Sequence, residues 1–93
     1  MCGRFTLTVN PADLQDAFAG FHFPKQFAPR FNIAPTQPLL AIPNDGRNQA
    51  GFFLWGLIPS WAKDAKFGSR LINARSETLA EKPSFRGAYK YRR

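Results

Sequence analysis

Residues 39–59 read LLAIPNDGRNQAGFFLWGLIP, and no other stretch limits the fold as tightly. LLAI is a short apolar run, Asn44-Asp45-Gly46 is a strong turn signal, and AGFFLWGLI returns with Phe52, Phe53, Leu54 and Trp55 in succession. Two apolar runs about such a turn predict a β-hairpin. The aromatic density of the returning strand predicts burial on at least one of its faces. Pro59 then ends the strand, because proline has no amide to give to a ladder.

A hairpin needs neighbours, and 93 residues supply one small domain at most. Ten Phe and two Trp within a 44% hydrophobic chain suffice for a modest core and do not fit a disordered one. CGRFTLTV alternates Phe5, Leu7 and Val9 against Arg4, Thr6 and Thr8, which predicts a half-buried strand. Asn10 and Pro11 are a cap and a first helical residue, and Asp13 favours the positive end of the helix dipole. Leu14, Ala17, Phe18 and Phe21 form the apolar face of that helix, and Gly20 marks its exit. Residues 22–38, broken by Pro24, Pro29, Pro35 and Pro38, read as an ordered but irregular crossing. SWAKDAKFGSR reads as a surface loop or a short helical turn. LINARSET alternates, so as a strand it sets Leu71, Asn73, Arg75 and Glu77 on one face and Ile72, Ala74 and Ser76 on the other. The final EKPSFRGAYKYRR shows little period beyond a turn at Lys82-Pro83.

Charge and cysteine narrow the function. The net charge is +7, yet residues 1–62 carry four basic and three acidic side chains, whereas 63–93 carry nine and three. A basic second part suggests a polyanionic partner, nucleic acid first, against the plainer reading of a solvated surface. A single cysteine excludes an internal disulfide framework and fits a reducing cytoplasm. Cys and His are too few for a zinc site, so no metal or cofactor is expected. No run of 18 apolar residues and no basic-then-apolar leader is present, so no membrane role is expected.

Cys2 stands directly behind Met1. With Met1 removed, it carries an α-amine and a thiol on adjacent atoms, and the amine has a reference pKa of about 8. On the residues alone, a strand cysteine without chemistry stands beside this reading.

Four segments carry a resemblance: MCGRF, RFNIAPTQ, the WGLIPSW run from Trp55 to Trp61, and LINARSET. In order and spacing the chain resembles the amino-terminal part of the SOS response-associated peptidase family. The resemblance implies that residues 1–93 are the amino-terminal portion of a single such domain, with no second domain. It implies an α+β fold, mainly β, twisted and barrel-like, incomplete in this chain. It also implies a sensor of abasic sites in single-stranded DNA, acting in the DNA damage response. There Cys2 forms a covalent thiazolidine with the sugar aldehyde after autoproteolytic removal of Met1. Asn73 matches the family's active-site asparagine. Arg4 and Arg75 are expected at phosphate, with Asn32, Pro35 and Trp61 along the DNA channel and Pro35 wedged between bases. Glu77 is expected to orient the site from behind rather than to act as its acid-base catalyst, and a plain salt bridge to Glu77 is the alternative reading of Arg75, compatible with its phosphate role. Trp61 serves equally as a stacking platform or as a core plug, Trp55 reads as core, and His22 as incidental.

The family's later acidic motif of the G-[FW]-[FY]-E-W kind and its H-x-R motif have no match here. Crosslinking by this chain is therefore expected to be slow and poorly directed. The predicted strands do not close a barrel, so missing elements are expected from the rest of a polypeptide or from a second chain. The alternatives are a non-covalent module for single-stranded nucleic acid and an inactive shortened piece. A peptidase acting on other proteins lacks a nucleophile–base pair in this sequence. The expected location is the cytoplasm, at the nucleoid in a bacterium.

Overall fold

Asn10 begins the first helix by accepting the Asp13 amide on its Oδ1 at 2.8 Å, with Pro11 in the first turn. A computed structural model describes residues 2–92 of the chain. The retention of Met1, and the last residue of the basic run, Arg93, lie outside the described residues. The elements are β1 (Phe5–Leu7), α1 (Pro11–Ala17), β2 (Arg30–Ile33), β3 (Pro38–Ala41), β4 (Gly51–Leu54) and α2 (Arg86–Tyr91), with 3-10 turns at Ala65–Arg70 and Ser76–Thr78 before α2.

The central hairpin forms as its sequence dictates. β3 and β4 pair antiparallel in an unbroken register, Pro38 with Leu54, Leu39 with Phe53, Leu40 with Phe52 and Ala41 with Gly51. Between them Gly46 takes φ +79 and Asn48 φ +54, left-handed positions that glycine and asparagine tolerate best. β1 and β2 make a second antiparallel pair, irregular between Phe5 and Leu7. The fold is mixed α+β. Among the described residues it consists of two two-stranded sheets, and neither closes into a barrel.

The proline-punctuated crossing is less irregular than its composition predicts. Pro29 and Pro35 bracket the four residues of β2 instead of interrupting them. His22 also pairs with Gln49, and its backbone accepts the Ala50 amide at 2.8 Å. The closing segment is more regular too, since α2 occupies a stretch with no clear apolar stripe.

LINARSET does not form the expected strand. Residues 71–75 are irregular and 76–78 curl into a 3-10 turn. Strand structure is largely a property of neighbours, and among the described residues this segment receives single bonds from the chain after β4 and no ladder. Arg75 and Glu77 therefore do not share a strand face with Asn73. Cys2 and Arg4 likewise precede β1 and do not lie on it.

The core is small. Among the described residues the buried hydrophobics are Ile33, 1% exposed, and Ala50. The burial expected for the aromatic strand is not realised, because Phe52, Phe53 and Leu54 are 51%, 46% and 62% exposed. The apolar face of α1 is partly covered, with Leu14 half-buried and Phe18 exposed.

Candidate functional site

Trp55 draws the four marked segments together. Its ring tilts against Phe5 with centroids 5.4 Å apart, which ties it to MCGRF. Its carbonyl accepts the Thr36 amide at 2.9 Å, and its amide donates to the Gln37 carbonyl at 3.1 Å, which ties it to RFNIAPTQ. Its indole Nε1 donates to the Ile72 carbonyl at 2.9 Å, and the nearby Leu57 amide donates to Leu71 at 3.0 Å. A half-buried indole must place its N–H on a partner, and here the partner is the backbone beside Asn73. Trp55 thus joins elements as well as packing between them. The sequence signal for this was the N–H of an aromatic next to Gly56.

Held in this way, Asn73 donates from Nδ2 to the Cys2 carbonyl at 2.6 Å, a contact between residues 71 apart in sequence. Cys2 is exposed and its thiol is free. The first two expected catalytic residues are therefore adjacent, and the thiol faces solvent. The contact is to the carbonyl oxygen of Cys2, so it leaves the α-nitrogen and the thiol of that residue unused by Asn73.

Around this pair the structure arranges charge. A hollow of about 410 Å³ is lined by Asn73, Arg75, Arg70, Lys82 and Phe85, among others. Arg70 and Lys82 escaped the sequence reading, although both lie in the basic second part whose charge was the signal for them. Arg70 also stands over the Phe67 ring at 5.8 Å. Arg4, Arg75 and Glu77 are exposed. Among the described residues no ion pair joins Arg75 and Glu77.

Pro35 sits in a turn that its own motif constructs. Arg30 donates through Nη1 to the Pro38 carbonyl and through Nη2 to Gln37 Oε1 at 2.7 Å. Gln37 Oε1 also accepts the Ala34 amide at 3.0 Å. The clamp holds Thr36 at φ +68, a left-handed position costly for a β-branched residue. Pro35 is half-buried at its crest, whereas Asn32 is exposed on β2. Trp61 is 54% exposed and meets Phe67 edge-on at 5.2 Å, so it both packs and presents a ring. No group of three or more His, Cys, Asp or Glu able to hold a metal occurs among the described residues. No helix among them is long and apolar enough to cross a membrane.

Comparison with known proteins gives a consistent result. The family model described as SOS response associated peptidase (SRAP) matches residues 1–93. The chain is 54% identical over 89 residues to the abasic site processing protein YoaM of Bacillus subtilis (strain 168), covering 92% of this chain and 39% of that protein. It is 53% identical over 89 residues to the abasic site processing protein YoqW of Bacillus phage SPbeta, covering 92% and 40%. It is 52% identical over 89 residues to YobE of Bacillus subtilis (strain 168), an abasic site processing protein by name, covering 92% and 41%. The chain thus spans about two-fifths of the length of the curated relatives it matches. No solved structure matches it. With its four motifs meeting at one tryptophan and a family match along its entire length, this chain belongs to the SOS response associated peptidase family.

Proposed function

We propose that this chain is the amino-terminal portion of a single domain that captures abasic sites in single-stranded DNA through Cys2, in the DNA damage response. The observation that carries the reading is the 2.6 Å bond from Asn73 to an exposed Cys2 beside a hollow lined by Arg70, Arg75 and Lys82. The names of the relatives, abasic site processing proteins, support the choice of substrate.

The chemistry begins with hydrolysis of the Met1–Cys2 amide, which frees the α-amine; this is the peptidase step. The amine then adds to C1′ of the ring-opened sugar aldehyde and water leaves, giving an imine. The thiol of the same residue adds across the C=N bond, its proton passes to nitrogen, and a five-membered thiazolidine closes. Ring closure is intramolecular, so the effective concentration of sulfur is very high. Asn73 directs the terminus, and Arg75 with Arg70 and Lys82 grips the flanking phosphates. Arg4 adds a further cation before β1. Pro35, on its clamped turn, enters the gap left by the missing base, Asn32 lines the channel, and Trp61 offers a ring to an adjacent base. Glu77 stands at the edge of this set. No step uses a metal or a cofactor, and the reading places the chain in the cytoplasm, at the nucleoid in a bacterium.

The test is incubation of the chain, with Met1 removal verified by intact mass, with an oligonucleotide containing one abasic site. The expected product is a heat-stable adduct whose mass is the sum of the two reactants less one water. Cys2→Ala abolishes the adduct and preserves binding measured by fluorescence anisotropy. A folded chain beginning at Cys2 that yields no adduct overturns the covalent reading. Retained binding in that case supports the second reading, a non-covalent module for single-stranded nucleic acid, which the exposed cations of residues 63–92 favour. Absence of both adduct and binding leaves the inactive shortened piece.

A further inference from the structure

A costly turn stands where Pro35 sits. The Gln37 amide donates to the Ala34 carbonyl at 3.2 Å, and Thr36 takes φ +68 directly after Pro35. This is the pattern of a type II turn, in which proline suits the second position and the third calls for glycine or asparagine. Here the third residue is threonine, whose branched Cβ makes the left-handed region unfavourable. Local preference does not hold such a turn, so its surroundings must.

Two sets of bonds supply the restraint. Trp55 fixes the base of the turn, its carbonyl accepting the Thr36 amide and its amide donating to the Gln37 carbonyl. Arg30 provides the second set. Its Nη1 donates to the Pro38 carbonyl and its Nη2 to Gln37 Oε1, and the same Oε1 accepts the Ala34 amide. One guanidinium thus ties the residues after the turn to the first residue of β2 before it, and Gln37 passes the restraint on to Ala34. Arg30 is half-buried, and among the described residues no carboxylate pairs with it. Its charge is given over to one turn of uncharged residues. The planar fork aims two donors at two fixed acceptors, a geometry that a lysine ammonium does not reproduce.

We infer that Arg30 is a positioning residue for abasic-site recognition, acting through Gln37 and Pro38 to keep the Pro35–Thr36 turn rigid; the inference rests on the proposed entry of Pro35 into the gap left by a missing base. A preset wedge enters a vacancy without first having to be ordered, whereas on an intact strand it must displace a stacked base. A loosened wedge has to be ordered at the gap and swings aside from an intact base. Arg30 therefore sets the ratio of the two affinities more than either one alone. Freeing the backbone of one residue corresponds to about fivefold or more in an equilibrium constant, and a loss of ratio of that size is expected when the clamp is cut.

The test compares, by fluorescence anisotropy, binding of the chain to two oligonucleotides that differ only in a tetrahydrofuran residue replacing one nucleotide. Tetrahydrofuran lacks the aldehyde, so capture by Cys2 has no part in the result. The chain is expected to prefer the tetrahydrofuran strand, and Pro35→Ala to remove that preference. Where the chain shows no preference, or Pro35→Ala leaves it intact, the wedge reading fails and the inference fails with it. Where both expectations hold, Arg30→Lys, which keeps the charge, is expected to lower the ratio about fivefold. An unchanged ratio overturns the inference alone. Arg30→Lys combined with Pro35→Ala is expected to lose no more than Pro35→Ala by itself. Additive losses place Arg30 on the DNA directly and also overturn the inference. Thr36→Gly separates control of the turn from general support of the fold. Glycine suits the third position of a type II turn, so adding Thr36→Gly to Arg30→Lys is expected to restore the ratio, and a ratio that stays low refutes the inference. Should Arg30→Lys fail to fold, Gln37→Ala cuts the clamp at its other end. It is expected to lower the ratio equally, and no change refutes the inference.

Discussion

Asn73 spends its amide on the Cys2 backbone carbonyl, and this one bond ties the segment around residue 73 to the residue on which the proposed chemistry rests. A half-exposed hydrogen bond of this kind is worth about 1 kcal/mol net. Asn73→Ala is therefore expected to lower stability by about that amount in urea titration. Adduct formation should slow about fivefold, the rate equivalent of the same energy. An unchanged rate in a destabilised variant would reduce Asn73 to a structural tether. Trp61 separates the two roles left open by its sequence. Its edge contact with Phe67 predicts a loss of about 1 kcal/mol in stability for Trp61→Ala. A stacked base predicts a further loss of roughly ten- to a hundredfold in affinity for single-stranded DNA. Stability loss without affinity loss assigns the ring to packing alone. The contact between Cys2 and Asn73 joins two short motifs that the sequence itself singles out. Arg70 and Lys82 were not legible in the sequence, because isolated cations gain meaning only when the fold places them around one hollow.

Among the elements, those fixed by adjacent residues were the readable ones. The cap at Asn10 and the turn at Gly46 act within a few positions, and both α1 and the β3–β4 hairpin stand where their sequences predict. β2 was obscured because its partner β1 lies more than twenty residues earlier and prolines flank it. LINARSET misled for the converse reason: alternation states which side chains would share a face, but a strand also needs a ladder. The link between β4 and this segment depends on Gly56, which has φ +143 and lies so close to Gly68 that an added Cβ would meet its carbonyl. Gly56→Ala combines backbone strain with that collision, and a loss of about 2–4 kcal/mol is expected in denaturant unfolding. Gln37→Ala removes the acceptor shared by Arg30 and the Ala34 amide. The expected cost is about 1–2 kcal/mol, with faster exchange of the Ala34 amide as its local signature. Full retention of that amide's protection would show that Arg30 holds the turn unaided.

As a whole molecule the chain is a basic surface on a thin core, and each property predicts a measurement. Phosphate contacts by Arg70, Arg75 and Lys82 give a slope of about −2 for log affinity against log salt on single-stranded DNA, and Arg75→Ala makes it shallower by about 0.7. A slope near zero removes the polyanion from the account. The exposed β4 aromatics should bind the dye ANS and raise its emission severalfold. The barrel-like assembly implied by the family resemblance is not formed by the described residues, whose strands make two separate antiparallel pairs. The bond from Asn73 to Cys2 also has a temporal meaning. At about 5–20 residues per second of synthesis, residue 73 is made roughly 4 to 14 s after residue 2. Throughout that interval the nascent amino terminus trails from the ribosome without its anchor, open to any enzyme that trims new chains, and its chemical fate can be decided before the pocket that would use it exists.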